Sequence, residues 1–397
     1  MPWKEVSLMS QRKELVLLAW NEGSNISMLC RQFGISRKTA YKWMERFELG
    51  GPGGLADKPR APFESPARTP LEMEKLVVAL RDKHPAWGGR KLHARLAALG
   101  HEPPAPSTIT NILRRHHRLN PAQSAKHKPW RRFEHAEPNA LWQMDFKGDF
   151  ALTRGGRCHP LTIIDDHSRY ALCILACADQ RRPTVQNALI QTFETYGLPE
   201  RMLMDNGSCW GHDDNQPFTK LTVWLIRHGV SICHGRSRHP QTQGKDERFN
   251  RTLKLEVIST RPFRDLTHCQ NHFDQWRAVY NLERPHESLD MRPPISRYRQ
   301  SRREYTDTLP PIEYAPGDIV RKVSGGAAFN FKNQRFRLGK AFIGLQIALR
   351  PTTTDGLFDV YLSHQKIDSI DMRRDAPVLT SRLAADFISC KDGEYNL

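Results

Sequence analysis

The sequence lacks any long hydrophobic run. Among its 397 residues, the longest apolar stretches are Leu15–Trp20 and Ala171–Ala178. Both are far shorter than the roughly 20 residues that cross a bilayer. The N-terminal segment carries acidic residues and has no apolar stretch of the kind found in secretion signals. We therefore expect no membrane partner and a protein that stays in the cytoplasm.

Paired cysteines are also absent from the sequence. The eight cysteines are scattered, and no two have the CxxC spacing that is typical of zinc sites and redox motifs. Cys173 and Cys177 lie in an apolar run that predicts a buried strand. The pattern favours reduced thiols in hydrophobic cores, and we expect neither a disulfide framework nor a structural zinc.

Positive charge is plentiful and unevenly spread. Lysine and arginine outnumber aspartate and glutamate by 60 to 43, which gives a net charge of +17. Residues 1–138 carry +11 of this charge, and the remaining 259 residues carry only +6. This concentration indicates a polyanionic partner. Charge alone leaves open the alternative of a solvated basic surface that binds nothing specific.

Clusters of glycine and proline divide the chain into four folded pieces. The predicted domains are 1–50 and 70–118 (helical), 139–300 (mixed α/β) and 317–375 (small β domain). The predicted connections are a Gly/Pro-rich linker at 51–69, a basic linker at 119–138, a linker at 301–316 and a tail at 376–397.

The first piece is typical of a helix-turn-helix. Residues 26–33 and 36–47 predict two short helices around Gly34, and Ser36 is a suitable N-cap for the second helix. The second helix of this fold enters the major groove of DNA. The side chains expected to reach phosphates and bases are Arg37, Lys38, Thr39 and Lys42. A small helical hairpin with a solvated basic face is the alternative.

The second piece repeats this pattern with three predicted helices. They cover residues 70–83, 89–99 and 107–117, and Ser107 is the expected N-cap of the last one. Two such units in one chain favour DNA binding more strongly than either unit alone. The expected DNA contacts here and in the basic linker are Ser107, Asn111, Arg114, Arg115, Lys126, Lys128, Arg131 and Arg132.

The third piece alternates between strand and helix patterns. Strands are predicted at 141–150, 158–165, 170–178 and 201–204, and helices at 183–196, 218–228 and 245–258. This order is typical of a mixed α/β sheet. Three acids on separate elements would suit two divalent metals flanking a phosphate, because magnesium prefers carboxylate oxygens. The chain has 43 acids, so only their sequence context can select three.

Three short strings supply that context. They are Leu-Trp-Gln-Met-Asp-Phe around Asp145, Met-Asp-Asn-Gly around Asp205, and Gly-Lys-Asp-Glu-Arg-Phe-Asn around Glu247. With Asp165–Tyr170 and Tyr280–His286, they resemble the retroviral-integrase-like DDE transposases of bacterial insertion sequences. The resemblance covers most of the chain and implies two helix-turn-helix domains, an RNase H-like core with a mixed sheet, and a small C-terminal β-barrel.

The resemblance implies that Asp145, Asp205 and Glu247 are the catalytic and metal-binding triad. Two Mg²⁺ ions per active site are implied, with Mn²⁺ as a substitute. Asp246 competes for the third place, but the Gly-x-x-Glu spacing favours Glu247. The interval from Asp205 to Glu247 is longer than is usual in the family, and residues 210–217 are expected to hold the extra loop.

The predicted helix at 245–258 supports the third acid independently. Glu247, Asn250, Arg251 and Lys254 form one polar face, while Phe249, Leu253 and Val257 lie opposite. Lys245, Asn250, Arg251 and Lys254 are the expected contacts to the DNA backbone in this domain. An exposed amphipathic helix with a mixed-charge surface is the alternative.

The last piece predicts five short strands and few helices. They cover residues 319–323, 327–331, 334–338, 346–350 and 358–363, which indicates a small closed barrel of SH3 or OB type. The resemblance implies a DNA-binding or assembly module.

The resemblance implies a polynucleotidyl transferase that binds the terminal inverted repeats of its element, cleaves their 3′ ends and transfers them into target DNA. It also implies at least a dimer on double-stranded DNA, in association with the bacterial nucleoid. A metal-dependent nuclease of the same fold is one alternative, and it predicts cutting without joining. A transposase-derived DNA-binding regulator is the other, and it predicts a damaged triad.

Overall fold

The computed structural model describes residues 8–57, 68–119, 135–204, 218–234, 244–373 and 378–379. It separates into two compact units, Met1–Arg68 and Thr69–Leu397. Five residues with a predicted role lie outside the described residues, namely Lys126, Lys128, Arg131, Arg132 and Asp205. Within the described part, no helix is long and apolar enough to span a membrane.

The first unit is a bundle of three helices, α1 (Leu8–Ala19), α2 (Ile26–Gln32) and α3 (Arg37–Gly50). The predicted cap of α3 is confirmed, because the Ser36 side chain accepts a hydrogen bond from the Thr39 backbone N–H. Gly34 has a φ of +64° in the turn between α2 and α3, a backbone conformation that suits glycine. Trp43 is buried in the core of this unit. Helix α1 was not predicted.

The Gly/Pro-rich segment after α3 is partly folded. Residues Gly51–Leu55 form a 3₁₀ helix, and Leu55 is only 1% exposed. The Arg12 guanidinium donates a 2.8 Å hydrogen bond to the Leu55 carbonyl oxygen and pairs with Asp57. The first folded domain therefore extends past residue 50.

The second helical domain has its three helices close to the predicted positions, with α4 at Leu71–Lys83, α5 at Gly89–Ala98 and α6 at Pro106–Arg115. Ser107 is not the N-cap. Ala105 occupies that position and makes no side-chain cap, while Pro106 is the first helical residue. Proline suits this place because its missing N–H would lack an intrahelical partner anyway. The core consists of Val77, Trp87, Leu92, Leu96, Ile109, Ile112 and Leu113.

The α/β core contains a mixed sheet, as predicted. Its strands are β1 (Leu141–Phe146), β2 (Phe150–Ala151), β3 (Arg157–Asp165), β4 (Ala171–Cys177), β5 (Arg201–Met204) and β6 (Ser231–His234). Its helices are α7 (Arg182–Tyr196), α8 (Lys220–Arg227), α9 (Gly244–Glu256) and α10 (Leu266–Leu282). Strand β1 pairs antiparallel with β3 and parallel with β5, while β3 also pairs with β4 and β5 with β6. Strand β6 and helix α10 were not predicted.

Helices cover both faces of this sheet. On one face, α7 and α8 contribute Phe193 and Leu225 to a cluster that includes Trp142 of β1. On the other face, α9 contributes Phe249 and Leu253 to a cluster with residues of α10 and β4. The burial of Phe249 and Leu253 confirms the predicted apolar side of α9, and it fixes which side of the helix faces the sheet.

The predicted closed barrel is wrong for the described residues. The C-terminal domain has strands β7 (Ile319–Lys322), β8 (Ala328–Phe331), β9 (Gln334–Arg337), β10 (Gln346–Pro351), β11 (Leu357–Leu362), β12 (Gln365–Asp371) and β13 (Val378–Leu379). Five of them form an antiparallel sheet in the order β13-β12-β11-β10-β7, while β8 and β9 form a separate hairpin. Because β8 and β9 form a ladder only with each other, they do not join the edge strands β7 and β13 into one sheet, and among the described residues the sheet stays open.

The C-terminal domain packs directly on the α/β core. Phe342 meets Phe218 beside α8 with ring centroids 5.4 Å apart. The segment before this domain is also fixed to the core, because Arg303 donates hydrogen bonds to the carbonyl oxygens of Pro199, His228 and Gly229. The predicted linker at 301–316 is therefore held against the core at its start.

The second helical domain docks on the α/β core through α10 and the loop after it. Val279 of α10 packs against the core of the helical domain. Arg95 of α5 pairs with Glu283 at 2.7 Å, and Arg90 pairs with Glu287 at 3.2 Å. This interface combines apolar contact with two ion pairs, of which the Arg95 pair is the less exposed.

Candidate active site and nucleic-acid interface

Strand β1 and helix α9 bring two carboxyl groups together. Asp145 lies opposite Thr162 in the β1–β3 register, and the Thr162 hydroxyl donates to the Asp145 carbonyl oxygen at 3.1 Å. The Asn250 amide donates to Asp145 Oδ2 at 3.0 Å and to Asp246 Oδ2 at 2.8 Å. The fold thus joins two acids that are about one hundred residues apart in the sequence.

Asp246 is the α9 acid that contacts Asp145. Its side chain is buried, with 2% exposure. Burial raises the pKa of Asp246 well above its ordinary value, and the neighbouring Asp145 carboxyl, to which it is hydrogen-bonded, raises it further. The two groups form a like-charge pair in which the neutral form of Asp246 is favoured.

Glu247 lies on the outer side of the same helical turn and is exposed. Arg251 and Lys254, one and two turns further along, are exposed as well. Asn250 departs from the expected polar face, because it is buried beside Asp145 and Asp246. The choice between Glu247 and Asp246 as the third triad member stays a prediction.

The donor set at this site fits a divalent cation. Carboxylate and amide oxygens are the ligands that magnesium prefers. Two adjacent carboxylates repel each other when both are ionised, and a bound cation removes that repulsion. Asp205 directly follows β5 in the chain but lies outside the described residues. Among the described residues, no three His, Cys, Asp or Glu side chains form a group that could hold a metal ion.

Lys245 is engaged inside the protein. Its ammonium nitrogen lies 2.5 Å from Asp166 Oδ2, and the two side chains are 18% and 3% exposed. The sequence predicted Lys245 as a DNA contact and gave no role to Asp166 beyond its place in the Asp165–Tyr170 string, which forms a turn between β3 and β4. Asp165 does close that turn, since its Oδ1 accepts hydrogen bonds from the Ser168 backbone N–H and hydroxyl.

Three of the four expected DNA contacts on α3 are available at the surface. Arg37, Lys38 and Lys42 are exposed, and the Lys42 ammonium lies 4.3 Å from the centroid of the Trp43 ring. Thr39 is half-buried, and its hydroxyl is 2.9 Å from the Ser36 hydroxyl. Thr39 therefore takes part in capping the helix.

The expected contacts on α6 are partly used within the protein. Ser107 and Asn111 are exposed, and Arg114 donates a hydrogen bond to the Asn111 side chain. Arg115 pairs with Glu74, whose side chain is only 2% exposed. Arg115 therefore neutralises a buried carboxylate of α4.

Asp149, which is close to Asp145 in the sequence, and Arg284, of the Tyr280–His286 string, have structural partners. Asp149 does not share a strand with Asp145, because β1 ends at Phe146, and it pairs with Arg157. Arg284 donates two hydrogen bonds to Glu256 Oε1, at 3.1 and 3.0 Å. Arg284 thus anchors the loop after α10 to the end of α9.

Family models match most of the described domains. Integrase core domain models match residues 135–240 and 228–294, and an IS481 family transposase C-terminal domain model matches residues 318–377. A helix-turn-helix domain model matches residues 11–63, and a homeodomain-like domain model matches residues 39–113. In these domains the chain is similar to the transposases of insertion sequences. It carries an integrase core and helix-turn-helix domains of the DNA-binding type.

Curated relatives come from bacterial insertion elements. The 31.7 kDa protein of IS407 from Burkholderia multivorans is 29% identical, over 38% of this chain and 53% of its own length. The 39.2 kDa protein of IS476 from Xanthomonas euvesicatoria is 27% identical, over 59% of this chain and 66% of its own length. Transposase InsD of IS2 from Escherichia coli is 28% identical over 41% of this chain. The chain spans about half to two thirds of the length of the first two relatives.

Solved integrase structures are only distantly similar. The HTLV-2 integrase catalytic core domain in complex with magnesium is 14% identical, with a TM-score of 0.31 over 41% of this chain and 99% of that chain. A simian T-cell lymphotropic virus intasome has a TM-score of 0.36. Both scores are too low to bear on the fold or the site of this chain.

Proposed function

We propose that this transposase binds the terminal inverted repeats of its element, cleaves their 3′ ends and transfers them into target DNA. Asp145, Asp205 and Glu247 are the proposed triad, with two Mg²⁺ ions per active site. The convergence of Asp145 with the acidic first turn of α9 is the observation that carries this proposal. The integrase core match supports it independently.

The metals, when bound, would supply Lewis acidity at the attacking and leaving oxygens of a phosphodiester. The chain's own residues fix the geometry. Asn250 and Thr162 hold the Asp145 side chain and backbone, so that its carboxylate is oriented before a substrate arrives. Arg251 and Lys254 lie exposed on the helix that carries Glu247, where they are suited to bind the phosphate backbone.

In this proposal the helical domains recognise the terminal inverted repeats of the element. Exposed Arg37, Lys38 and Lys42 on α3 and Ser107 and Asn111 on α6 are the candidate contacts. Joining two element ends to one target requires at least two active sites, so we propose a homo-oligomer on DNA that is at least a dimer.

The test is a cleavage assay on DNA that flanks the reading frame. Purified protein with Mg²⁺ or Mn²⁺ is expected to nick labelled flank DNA at the 3′ ends of inverted repeats. Asp145→Asn and Glu247→Gln should each lower the rate by at least about 10²-fold, because catalysis by metals needs their ligands. Asp149→Asn is the matched control, since it removes a nearby acid that is paired with Arg157 outside the site.

Three outcomes would contradict the proposal. Equal loss of activity in Asp149→Asn and Asp145→Asn would show that activity depends on overall negative charge and not on Asp145 as a metal ligand. An inactive Asp246→Asn beside an active Glu247→Gln would move the third ligand to Asp246. Specific binding without cleavage would favour a DNA-binding regulator.

A further inference from the structure

Asp166 is a buried carboxylate that binds three separate parts of the chain. Its Oδ1 accepts a 2.7 Å hydrogen bond from the Gln143 amide. Its Oδ2 accepts from the His135 backbone N–H at 3.0 Å and from the Lys245 ammonium at 2.5 Å. The Asp166 backbone N–H donates to the Leu141 carbonyl oxygen at 2.9 Å. The residue itself is only 2% exposed.

Two of these partners lie on the elements that carry Asp145 and Glu247. Gln143 precedes Asp145 by two residues on β1, and Lys245 precedes Glu247 by two residues on α9. Helix α9 begins at Gly244, so Lys245 belongs to its first turn. A single carboxylate therefore connects β1 to the turn that bears Asp246 and Glu247.

The first turn of a helix needs such an anchor. Its N–H groups have no intrahelical acceptor, and helix ends fray unless other contacts hold them. A negative charge near a helix N-terminus is also favourable because it complements the helix dipole. The Lys245–Asp166 pair is largely removed from water, and loss of one partner would leave the other charge buried and uncompensated.

We propose that Asp166 is a positioning residue that acts through Lys245 to hold the first turn of α9 against β1. This inference rests on the proposed function, because it assigns Asp166 to the geometry of that reaction. Lys245 then serves inside the protein, and direct contact between its ammonium and DNA is the competing role.

The test compares Asp166→Asn, Lys245→Met, the double variant and the conservative Lys245→Arg. Asp318→Asn and Lys366→Met are matched controls in the C-terminal domain, because each breaks a partly buried ion pair far from the site. The first readout is hydrogen–deuterium exchange of the backbone at residues 244–250, without DNA or metal. The second is the single-turnover cleavage rate together with Kd for flank DNA.

Faster exchange at 244–250 is expected in Asp166→Asn and Lys245→Met, and near-wild-type exchange in Lys245→Arg and in both controls. The cleavage rate should fall by about 10²-fold, since misplacement of a catalytic group by about 1 Å has that effect. Kd for DNA should change less than about threefold. The double variant should be no worse than either single variant, because the two residues act as one unit.

Unchanged exchange in both Asp166→Asn and Lys245→Met would overturn the proposal. Weaker DNA binding in Lys245→Met, with normal exchange and no effect of Asp166→Asn, would overturn it in favour of direct DNA contact. The exchange readout needs no activity, so a wild-type protein that fails to cleave would refute the proposed function and still leave the anchor testable.

Discussion

Replacement of Glu256 by glutamine should strongly destabilise the second unit. Glu256 closes α9, and its Oε1 accepts two hydrogen bonds from Arg284 at 3.0 and 3.1 Å. Its Oε2 accepts a 2.9 Å hydrogen bond from the Trp276 indole. Both charged side chains are 9% exposed. The Glu256→Gln change keeps the shape but leaves the Arg284 cation buried without its counter-charge.

The expected loss follows from that burial. Breaking a buried ion pair by removing one partner costs about 3 to 5 kcal/mol. For domains of this size, each kcal/mol shifts Tm by about 2 to 4 °C. The expected decrease in Tm is therefore about 10 °C.

Thermal unfolding by calorimetry or circular dichroism measures this change. Asp82→Asn is the control, because the Arg118–Asp82 pair it breaks is about half exposed, and exposed ion pairs contribute little to stability. A Tm decrease in Glu256→Gln that is no larger than in the control would show that the buried Glu256–Arg284 pair does not stabilise this unit as expected.

Two further changes address stability elsewhere in this unit. Burial and the neighbouring Arg284 cation lower the pKa of His286 well below its ordinary 6.5, so the unfolded chain binds a proton first and stability is lost as the pH falls below 6.5. His286→Gln should make the free energy of unfolding depend less on pH, by up to about 1.4 kcal/mol per pH unit. Denaturation of both proteins at several pH values from 7.5 to 5.5 measures this, and an equal decrease of the unfolding free energy in the two proteins would contradict the prediction. Gly89→Ala would place a Cβ atom 2.4 Å from the Pro106 carbonyl oxygen and should cost about 1 to 3 kcal/mol in urea unfolding. Gly88→Ala, where a Cβ meets nothing within 4 Å, should cost less, and equal losses would contradict the packing argument.

Periodicity predicted the elements whose faces differ clearly in polarity. Helix α5 lies almost where the sequence placed it, because apolar residues recur at helical spacing there. Strand β5 lies where a short continuous apolar run placed it. Strand β12 escaped prediction because its buried run includes Asp368, Ser369 and Asp371. Local polarity is a poor guide when buried polar groups find partners, as the Ser369 hydroxyl does in donating to Asp359.

Local sequence patterns could not predict which strands and side chains, distant in the sequence, contact each other in the fold. The five predicted C-terminal strands are present, but nothing in their spacing shows that β8 and β9 pair only with each other. At the site, motif spacing selected Glu247, whereas the fold turns Asp246 toward Asp145. The partner of Lys245 lies 79 residues away in the sequence, so only the folded structure could identify Asp166.

The most direct test of the central claim is strand transfer from pre-cleaved ends. A labelled duplex that ends in the exposed 3′ hydroxyl of the inverted repeat is incubated with the purified protein, a plasmid target and Mg²⁺. If the proposed function is right, the plasmid becomes labelled by direct attack of that hydroxyl, and no labelled plasmid forms with Asp145→Asn. Plasmid that is nicked or linearised but never labelled would contradict it and would identify a nuclease.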